Sequence, residues 1–155
     1  THIPFIVHGP GIPAGATCMQ PASLIDVYPS LVDLAGLDIP DWLDGHSVRP
    51  QLEDPDQPRR PAISSYGGGN TSVRTKRWRY IRYEDGTEEL YDHQTDPNEW
   101  TNLADHTECA TIKARLLQAI PKTQHPGLMA QEWFEKFQTH DQSSDRRHTK
   151  QNQEP

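Results

Sequence analysis

The chain has 155 residues, of which 33% are hydrophobic, and its 14 prolines and 10 glycines predict a modest core with many loops. Its formal net charge of −7 argues against general attraction to nucleic acid or to an anionic membrane surface. No stretch approaches the roughly 18 consecutive apolar residues that a membrane-spanning helix needs.

The first predicted element is a buried strand over residues 3–8. There a continuous apolar run, Ile-Pro-Phe-Ile-Val-His, is closed by the breakers Gly9, Pro10 and Gly11. A strand buried on both faces is typical of the parallel sheet of an α/β protein. Because such a strand cannot stand alone, we expect its neighbours to lie upstream of Thr1, in a longer protein.

A helix is predicted over residues 27–35. Asp26 is a favourable N-cap, because its carboxylate can accept the free N–H groups of the first turn. Pro29 falls in that first turn, where its missing N–H costs no helix bond, and Gly36 is a natural residue to follow the C-terminus. Apolar residues line one face of this helix at three- and four-residue spacing: Tyr28, Leu31, Leu34 and Ala35.

Residues 37–62 are rich in Pro, Asp and Gly and are predicted to form a long surface loop, with residues 54–61 as its most linker-like part. Such a loop usually separates subdomains or borders a site.

The second half of the chain predicts a small antiparallel meander. Short runs rich in aromatic and β-branched residues are strand candidates, at residues 62–66, 72–76, 78–83 and 88–92. The dipeptide Asp85-Gly86 between the last two runs is a strong hairpin signal. An amphipathic helix over residues 109–120 would then cover one face of the sheet.

Beyond residue 120 the pattern weakens. A further helix is predicted over residues 128–137, and the polar tail after His140 is predicted to be disordered because it has nothing to bury.

No constellation in the chain predicts catalysis or metal binding. The eight histidines form no HxH or HExxH motif, and no GxSxG elbow surrounds any serine. Cys18 and Cys109 have no metal-ligand spacing, and they could either pair or remain free thiols. We therefore assign no catalytic residue and no metal ligand.

Two features carry weaker signals. The glycine-rich turn at residues 67–71 could bring backbone N–H groups close to an anion, although a flexible turn is the simpler explanation. A basic strip follows it and consists of Arg74, Lys76, Arg77, Arg79 and Arg82. Interleaved with aromatic residues, the strip could bind an anionic sugar or a nucleic acid strand.

The simpler explanation of the basic strip is pairing across the hairpin. The acids available to it there are Glu84, Asp85, Glu88 and Glu89.

The order of these segments resembles the last third of a type I sulfatase. The segments that carry the resemblance are THIPFIVHGPG at 1–11, SLIDVYPSLVDLAG at 23–36, DGHS at 44–47, GNTSVRTKRWRYIRY at 69–83, ELYD at 89–92 and DPNEWTNL at 96–103. Within that family the pattern is most similar to the bacterial iduronate-2-sulfatase-like branch.

The resemblance implies an α/β fold. Residues 1–60 would be the C-terminal end of an alkaline-phosphatase-like catalytic domain. Residues 61–120 would form a small α+β subdomain, a sheet of about four antiparallel strands packed on a helix, and residues 121–155 an extension. Outside its parent, the stretch 1–36 would then expose apolar surface meant for an absent sheet.

The activity implied by the resemblance is hydrolysis of sulfate esters, with a formylglycine nucleophile made from a CxPxR-type motif and a calcium ion that polarises the sulfate. This chain has no CxPxR motif, since Cys18 is followed by Met19, Gln20 and Pro21. No catalytic or calcium-binding residue can be carried over. We therefore expect the chain to be inactive alone, and calcium to belong to the rest of a periplasmic or secreted parent enzyme.

What this part of a sulfatase could contribute is the substrate pocket. The candidate contacts to a sulfated carbohydrate are Asn70 and Thr71 at the glycine-rich turn, and His2, for which a structural role is the simpler explanation. The expected partners are that substrate and the N-terminal catalytic portion, and neither nucleic acid nor a membrane. Two alternatives stay open: a fragment of a sister phosphonate or phosphodiester hydrolase, and a non-catalytic glycan- or protein-binding module.

Overall fold

The computed structural model of the protein describes residues 3–122. In chain order it contains α1 (Val27–Leu34), α2 (Arg49–Glu53), β1 (Ala62–Tyr66), β2 (Asn70–Arg74), β3 (Trp78–Arg82), β4 (Glu88–Asp92) and α3 (Ala110–Leu117). Single 3-10 turns, Leu24–Asp26 and Thr107–Cys109, lead into α1 and α3. Over this part of the chain no helix is long and apolar enough to cross a bilayer.

The predicted strand over residues 3–8 is wrong for this structure. The segment has no regular hydrogen bonding, and the sheet of the described residues contains β1 to β4 alone. Ile3, Phe5 and Ile6 are exposed, Ile6 to 88%. The physical reason is that a strand is stabilised by ladder bonds to a neighbour, and no described strand pairs with this one.

Helix α1 confirms the helix predicted over residues 27–35. Pro29 is buried in its first turn, and Gly36 adopts a φ of +70° just after its end. There the N–H of Leu37 bonds to the carbonyl of Val32, and that of Gly36 to the carbonyl of Asp33, which is the Schellman ending. The apolar face of α1 is largely open to solvent: Tyr28, Leu31 and Leu34.

Asp26 does not cap α1 with its side chain as predicted. Its own backbone is already helical, whereas a capping side chain needs an extended backbone at that position. The carboxylate instead accepts the backbone N–H groups of Ser23 and His46, each at 2.8 Å.

The predicted loop over residues 37–62 contains a short helix, α2. Pro50 lies in its first turn, where a missing N–H is tolerated, and Arg49 bonds to Glu53 one turn later at 2.9 Å. With only five residues, α2 is too short to produce a helical periodicity in the sequence.

The four-stranded antiparallel meander is confirmed, with strand order β1-β2-β3-β4. One row across the sheet aligns Val73, Tyr80 and Leu90, all with no exposed surface. Strand β2 begins two residues earlier than predicted, at Asn70, because Gly67 and Gly69 both take positive φ values and close the turn tightly.

Helix α3 confirms the predicted amphipathic helix and covers one face of this sheet. Leu116 enters the core beneath Val73, Tyr80 and Leu90, and Ile112 packs beside it. Both cysteines are free thiols. The predicted helix at 128–137 and the predicted tail after residue 140 lie outside the described residues.

Candidate functional site

The alternation of side chains divides the sheet into two unlike faces. The helix-covered face, which packs on α3, contains the core residues Val73, Tyr80 and Leu90. The opposite face, here called the polar face, is formed by Ala62, Ser64, Tyr66, Asn70, Ser72, Arg74, Arg79, Ile81, Glu89 and Tyr91. The polar face thus carries two arginines, Arg74 and Arg79, and one strand carboxylate, Glu89.

The structure separates the predicted substrate contacts. Asn70 lies on the polar face, where its Oδ1 accepts the backbone N–H of Glu84 at 3.2 Å. Thr71 points to the other face and is 2% exposed, with its Oγ1 3.4 Å from Oγ of Ser65. His2 lies outside the described residues. Neighbouring positions in a strand cannot both reach one ligand from the same face.

The glycine-rich turn has a packing explanation. A Cβ at Gly69, whose φ is +97°, would lie 3.0 Å from the Cβ of Glu84. The turn between β1 and β2 therefore lies directly against the start of the hairpin loop between β3 and β4. Together with the bond from Glu84 to Asn70, this contact fixes the turn end of the sheet.

Three members of the basic strip are paired with carboxylates: Lys76, Arg77 and Arg79. Lys76 meets Asp56 at 3.2 Å. Arg77 bonds to both carboxylate oxygens of Asp92, at 2.8 and 2.6 Å, and these bonds lower the pKa of Asp92.

The predicted pairing of the strip with the hairpin acids is wrong in its choice of partners. Arg82 lies opposite Glu88 in the register, yet the carboxylate of Glu88 bonds to Tyr80 and Lys113 instead. Glu89, on the other face, accepts the hydroxyl groups of Tyr83 and Tyr91, each at 3.0 Å. Burial and the bond to Glu89 raise the pKa of Tyr91 to about 12.

The loop that follows β4 folds back over the polar face and joins its two arginines. Nη2 of Arg74 lies 3.0 Å from Nδ1 of His93, and Nε2 of His93 lies 2.6 Å from Oε1 of Glu99. The other oxygen of Glu99 accepts a bond from Arg79 at 2.6 Å. Arg79 also donates to Ser72 at 3.3 Å.

The hydrogen bonds of His93 fix the tautomer of its neutral ring. A guanidinium group has no acceptor, so Nδ1 of His93 must accept the bond from Arg74. The proton of the neutral ring then lies on Nε2 and is donated to Glu99. Burial opposes the ionisation of Glu99, but the bonds from Arg79 and His93 outweigh it and lower the pKa of this carboxyl. Glu99 holds this position with a φ of +59°, the sole positive φ of a non-glycine residue between residues 3 and 122.

Arg74 is the unusual member of this network. Among the fully buried side-chain nitrogen and oxygen atoms in the described part of the chain, its Nη1 alone has no hydrogen-bond partner. Burial lowers the pKa of the guanidinium, and the charge of Arg79 lowers it further against the opposing attraction of Glu99. The sequence predicted the basic strip, and Glu99 entered only as part of the segment 96–103; no sequence pattern predicted that His93 and Glu99 would join the arginines of the polar face.

A second polar cluster connects α1 to the long loop. Asp26 forms a buried ion pair with Arg59 at 2.8 Å, where both side chains are about 5% exposed. Arg59 also donates to the carbonyls of His46 and Ser47. Gly45 makes the approach of this segment possible, since a Cβ there would lie 2.0 Å from the carbonyl oxygen of Ile25.

The described residues do not fit a calcium ion. Between residues 3 and 122, no group of three or more His, Cys, Asp or Glu side chains comes close enough to hold a metal. The carboxylates of the polar face and of the Asp26 cluster are already bonded to arginines, histidine or tyrosines.

Solved structures of sulfatases share this fold. A 2-O GAG sulfatase superimposes with a TM-score of 0.52 and 31% identity over 60% of this chain and 22% of that one. A phosphonate monoester hydrolase from Silicibacter pomeroyi superimposes with a TM-score of 0.55 and 26% identity, over 72% of this chain and 26% of that one. The fold is thus that of a C-terminal region of alkaline-phosphatase-like sulfatases.

The chain belongs to the family described as N-sulphoglucosamine sulphohydrolase, C-terminal, whose profile matches residues 1–126. A sulfatase from Formosa agariphila is 36% identical over 124 residues, covering 79% of this chain and 24% of that protein. Human arylsulfatase K is 34% identical over 119 residues, covering 66% of this chain and 22% of that protein. The chain thus spans about a quarter of the length of these relatives.

Proposed function

We propose that the chain is the C-terminal part of a sulfuric ester hydrolase that acts on a sulfated carbohydrate. The observation that carries this proposal is the match of residues 1–126 to a sulfatase C-terminal family. The similarity to a 2-O GAG sulfatase supports a glycosaminoglycan-like substrate.

The finer part of the proposal is membership of the iduronate-2-sulfatase-like branch. A solved 2-O sulfatase with 31% identity supports cleavage of a 2-O-sulfate. The relative arylsulfatase K is not named as an iduronate-2-sulfatase and so does not support this branch. Membership of the branch therefore needs its own test. A 2-O-sulfated uronate disaccharide and a 6-O-sulfated glucosamine, offered to the same enzyme, would separate the two kinds of substrate.

The chain contributes binding surface rather than catalysis. The nucleophile and the calcium ion, when bound, would belong to the rest of a periplasmic or secreted parent enzyme. Asn70 is the proposed substrate contact, since it lies at the rim of the polar face. Thr71 is buried beneath the opposite face, so its proposed part is to support the turn, and His2 remains a proposed contact.

The partner polypeptide is the catalytic portion of the sulfatase. We place its contact on residues 3–8 and the apolar face of α1, because these exposed side chains form the surface that a neighbouring sheet would bury. No charged side chain interrupts Tyr28, Leu31 and Leu34 on that face.

One specific observation favours a second function. The phosphonate monoester hydrolase from Silicibacter pomeroyi shares the fold over 72% of this chain. The chain could therefore complete a phosphonate hydrolase instead of a sulfatase. A non-catalytic glycan- or protein-binding module is the remaining alternative, and it requires no catalytic partner at all.

A pair of fusions tests the proposal. In the first, residues 1–126 replace the matching C-terminal region of the Formosa agariphila sulfatase; in the second, they replace that of the phosphonate hydrolase. We expect the first fusion to release sulfate from a sulfated substrate and the second to be inactive on phosphonate monoesters. The isolated 155-residue chain should not cleave 4-nitrophenyl sulfate.

A further inference from the structure

The two edge strands of the sheet, β1 and β4, differ in how their outer backbone groups are bonded. On β4, the N–H of Leu90 donates to Oδ1 of Asn102, and the carbonyl of Leu90 accepts the N–H of Leu103 at 2.8 Å. The side-chain amide of Asn102 also donates to the carbonyl of Glu88. The segment after β4 therefore closes that edge of the sheet.

The β1 edge stays open in the part of the chain that the structure describes. There β1 pairs with β2 alone, and no other backbone bond reaches Ala62–Tyr66. Its last three residues, Ser64, Ser65 and Tyr66, are all exposed. Unpaired N–H and C=O groups along an edge strand are a template to which another strand can add.

Strand β1 lacks the features that usually prevent such pairing. Native edge strands are commonly guarded by charged side chains, an internal proline or a bulge. The sequence of β1 is AISSY, so it alone among the four described strands contains no charged residue, and Pro61 lies just before it. Its pairing with β2 runs residue for residue, without a bulge. The strand is therefore suited to the antiparallel addition of another strand.

The side chains of β1 fit a second copy of the same strand. Two-fold antiparallel pairing centred on Ser64 places Ser64 opposite itself and Tyr66 opposite Ala62 of the second copy. The ring of Tyr66, which is 76% exposed, then covers the smallest side chain of the strand. The central position holds a small, uncharged side chain, so the two copies can approach without repulsion.

The two ends of β1 carry complementary charges in this arrangement. Arg60 lies just before β1, and its side chain is 42% exposed. The glycine-rich turn after β1 packs at Gly69 against Glu84, which is also exposed. Antiparallel pairing brings the start of β1 in one copy beside the turn of the other, so Arg60 of each copy approaches Glu84 of the other.

We propose that β1 is a self-association edge, at which two copies of the chain pair antiparallel around Ser64 and join their sheets into one. The strand has only five residues, so the contact is small and the dimer is weak and depends on protein concentration. This edge is distinct from the apolar surface of residues 3–8 and α1 that was assigned to the catalytic portion. The inference therefore goes beyond the proposed function.

Sedimentation equilibrium of the 155-residue chain at rising concentration tests for the dimer. We expect a monomer–dimer equilibrium, and a chain that stays monomeric up to about 1 mM would overturn the proposal. An isotope-filtered NOE in a half-labelled sample tests the register. It should join the ring of Tyr66 to the methyl group of Ala62, which within one strand lie about 13 Å apart, too far for such a signal.

Charged variants at position 64 test the two-fold centre. Ser64→Lys and Ser64→Glu each place like charges directly opposite one another, and each should raise the dissociation constant about fivefold or more. An equimolar mixture of the two variants should dimerise again, because unlike charges then face each other, and this recovery would also show that both variants fold. Thr111→Lys adds the same charge at an exposed position of α3 and should leave the dimer unchanged. Equal loss in Ser64→Lys and Thr111→Lys, or no recovery in the mixture, would overturn the proposal.

The same measurement distinguishes other causes of association and other occupants of the edge. If Leu31→Glu abolishes the dimer and Ser64→Lys does not, the apolar face of α1 mediates association. If residues 1–122 dimerise and the 155-residue chain does not, residues beyond 122 cover β1. If an active sulfatase fusion shows no association that depends on Ser64, the catalytic portion covers β1. Each of these three results would reject the self-association edge and leave the proposed function intact.

Discussion

At the scale of single residues, a buried ion pair connects two segments that are distant in the sequence. The carboxylate of Asp26 is bonded to Arg59 and to the N–H groups of Ser23 and His46. These contacts tie α1 to the loop before the sheet. Their bonds outweigh the cost of burial and lower the pKa of Asp26.

Replacing Asp26 should therefore lower the free energy of unfolding substantially. Asp26→Asn leaves the buried guanidinium of Arg59 without its counter-charge, and we expect a loss of about 3 kcal/mol in the free energy of unfolding. Urea denaturation followed by circular dichroism measures it. Asp33→Asn, within α1 and in a more exposed pair with Arg49, should change stability little. Equal effects of the two changes would show that burial of the pair is unimportant.

The same carboxylates predict how stability depends on pH. The bond from Arg77 lowers the pKa of Asp92. Burial raises the pKa of Asp26, but the backbone N–H groups of His46 and Ser23, together with Arg59, lower it by more. Burial likewise opposes the bonds from Arg79 and His93 that lower the pKa of Glu99. The unfolded chain thus binds protons at a higher pH than the folded one. The stabilisation is complete above the ordinary carboxyl pKa of about 4 and is lost as the pH falls through the lower folded values.

Urea midpoints measured at pH 7, 5 and 3 test this prediction. We expect similar values at pH 7 and 5 and a clear decrease at pH 3, with a smaller decrease in Asp26→Asn. A midpoint that stays constant down to pH 3 would contradict the role given to these ion pairs.

Residue types were easier to predict than residue partners. The basic strip was visible in the sequence, and Asn70 was a predicted substrate contact. The partners Glu99 and His93 were not, because they lie 20 and 19 residues from Arg79 and Arg74, respectively, in a turn with no periodic pattern. Asp26 was predicted as a helix cap because its position fits, whereas its long-range partner Arg59 decides its role.

At the scale of elements, the sheet and α3 form the independent core of the chain. Leu116 is 2% exposed and packs against the central row of the sheet. Leu116→Ala should cost about 3 kcal/mol through the cavity that it leaves, measured by urea denaturation. Leu117→Ala, one residue later on the open side of α3, should cost much less. If both cost the same, α3 does not pack as described.

Short sequence patterns predicted the elements that depend on interactions between residues close in the sequence. Asp85-Gly86 fixed one hairpin, and Gly36 fixed the end of α1, both through positive φ values. The failures concern elements that depend on other segments. The apolar run at residues 3–8 has the composition of a strand, but without a neighbouring strand it forms no ladder. The helix α2 is too short to be seen at all.

At the scale of the whole molecule, apolar surface is concentrated on one part of the chain. Residues 3–8 and the outer face of α1 expose Phe5, Ile6, Tyr28 and Leu31, as the sequence predicted for the region 1–36. We expect the isolated chain to bind the dye ANS, because such patches are rare on stable monomers. Leu31→Glu should reduce the dye fluorescence, while Ala114→Glu on exposed α3 surface should not. Unchanged fluorescence in Leu31→Glu would mean that the dye binds to another part of the chain.

The central claim is that this chain completes a sulfatase. The most direct measurement is the rate of inorganic sulfate release by the fusion that carries residues 1–126 in place of the C-terminal region of the Formosa agariphila sulfatase. We predict release from a sulfated disaccharide and none from the isolated chain. An inactive sulfatase fusion, together with an active phosphonate hydrolase fusion built from the same residues, would contradict the account.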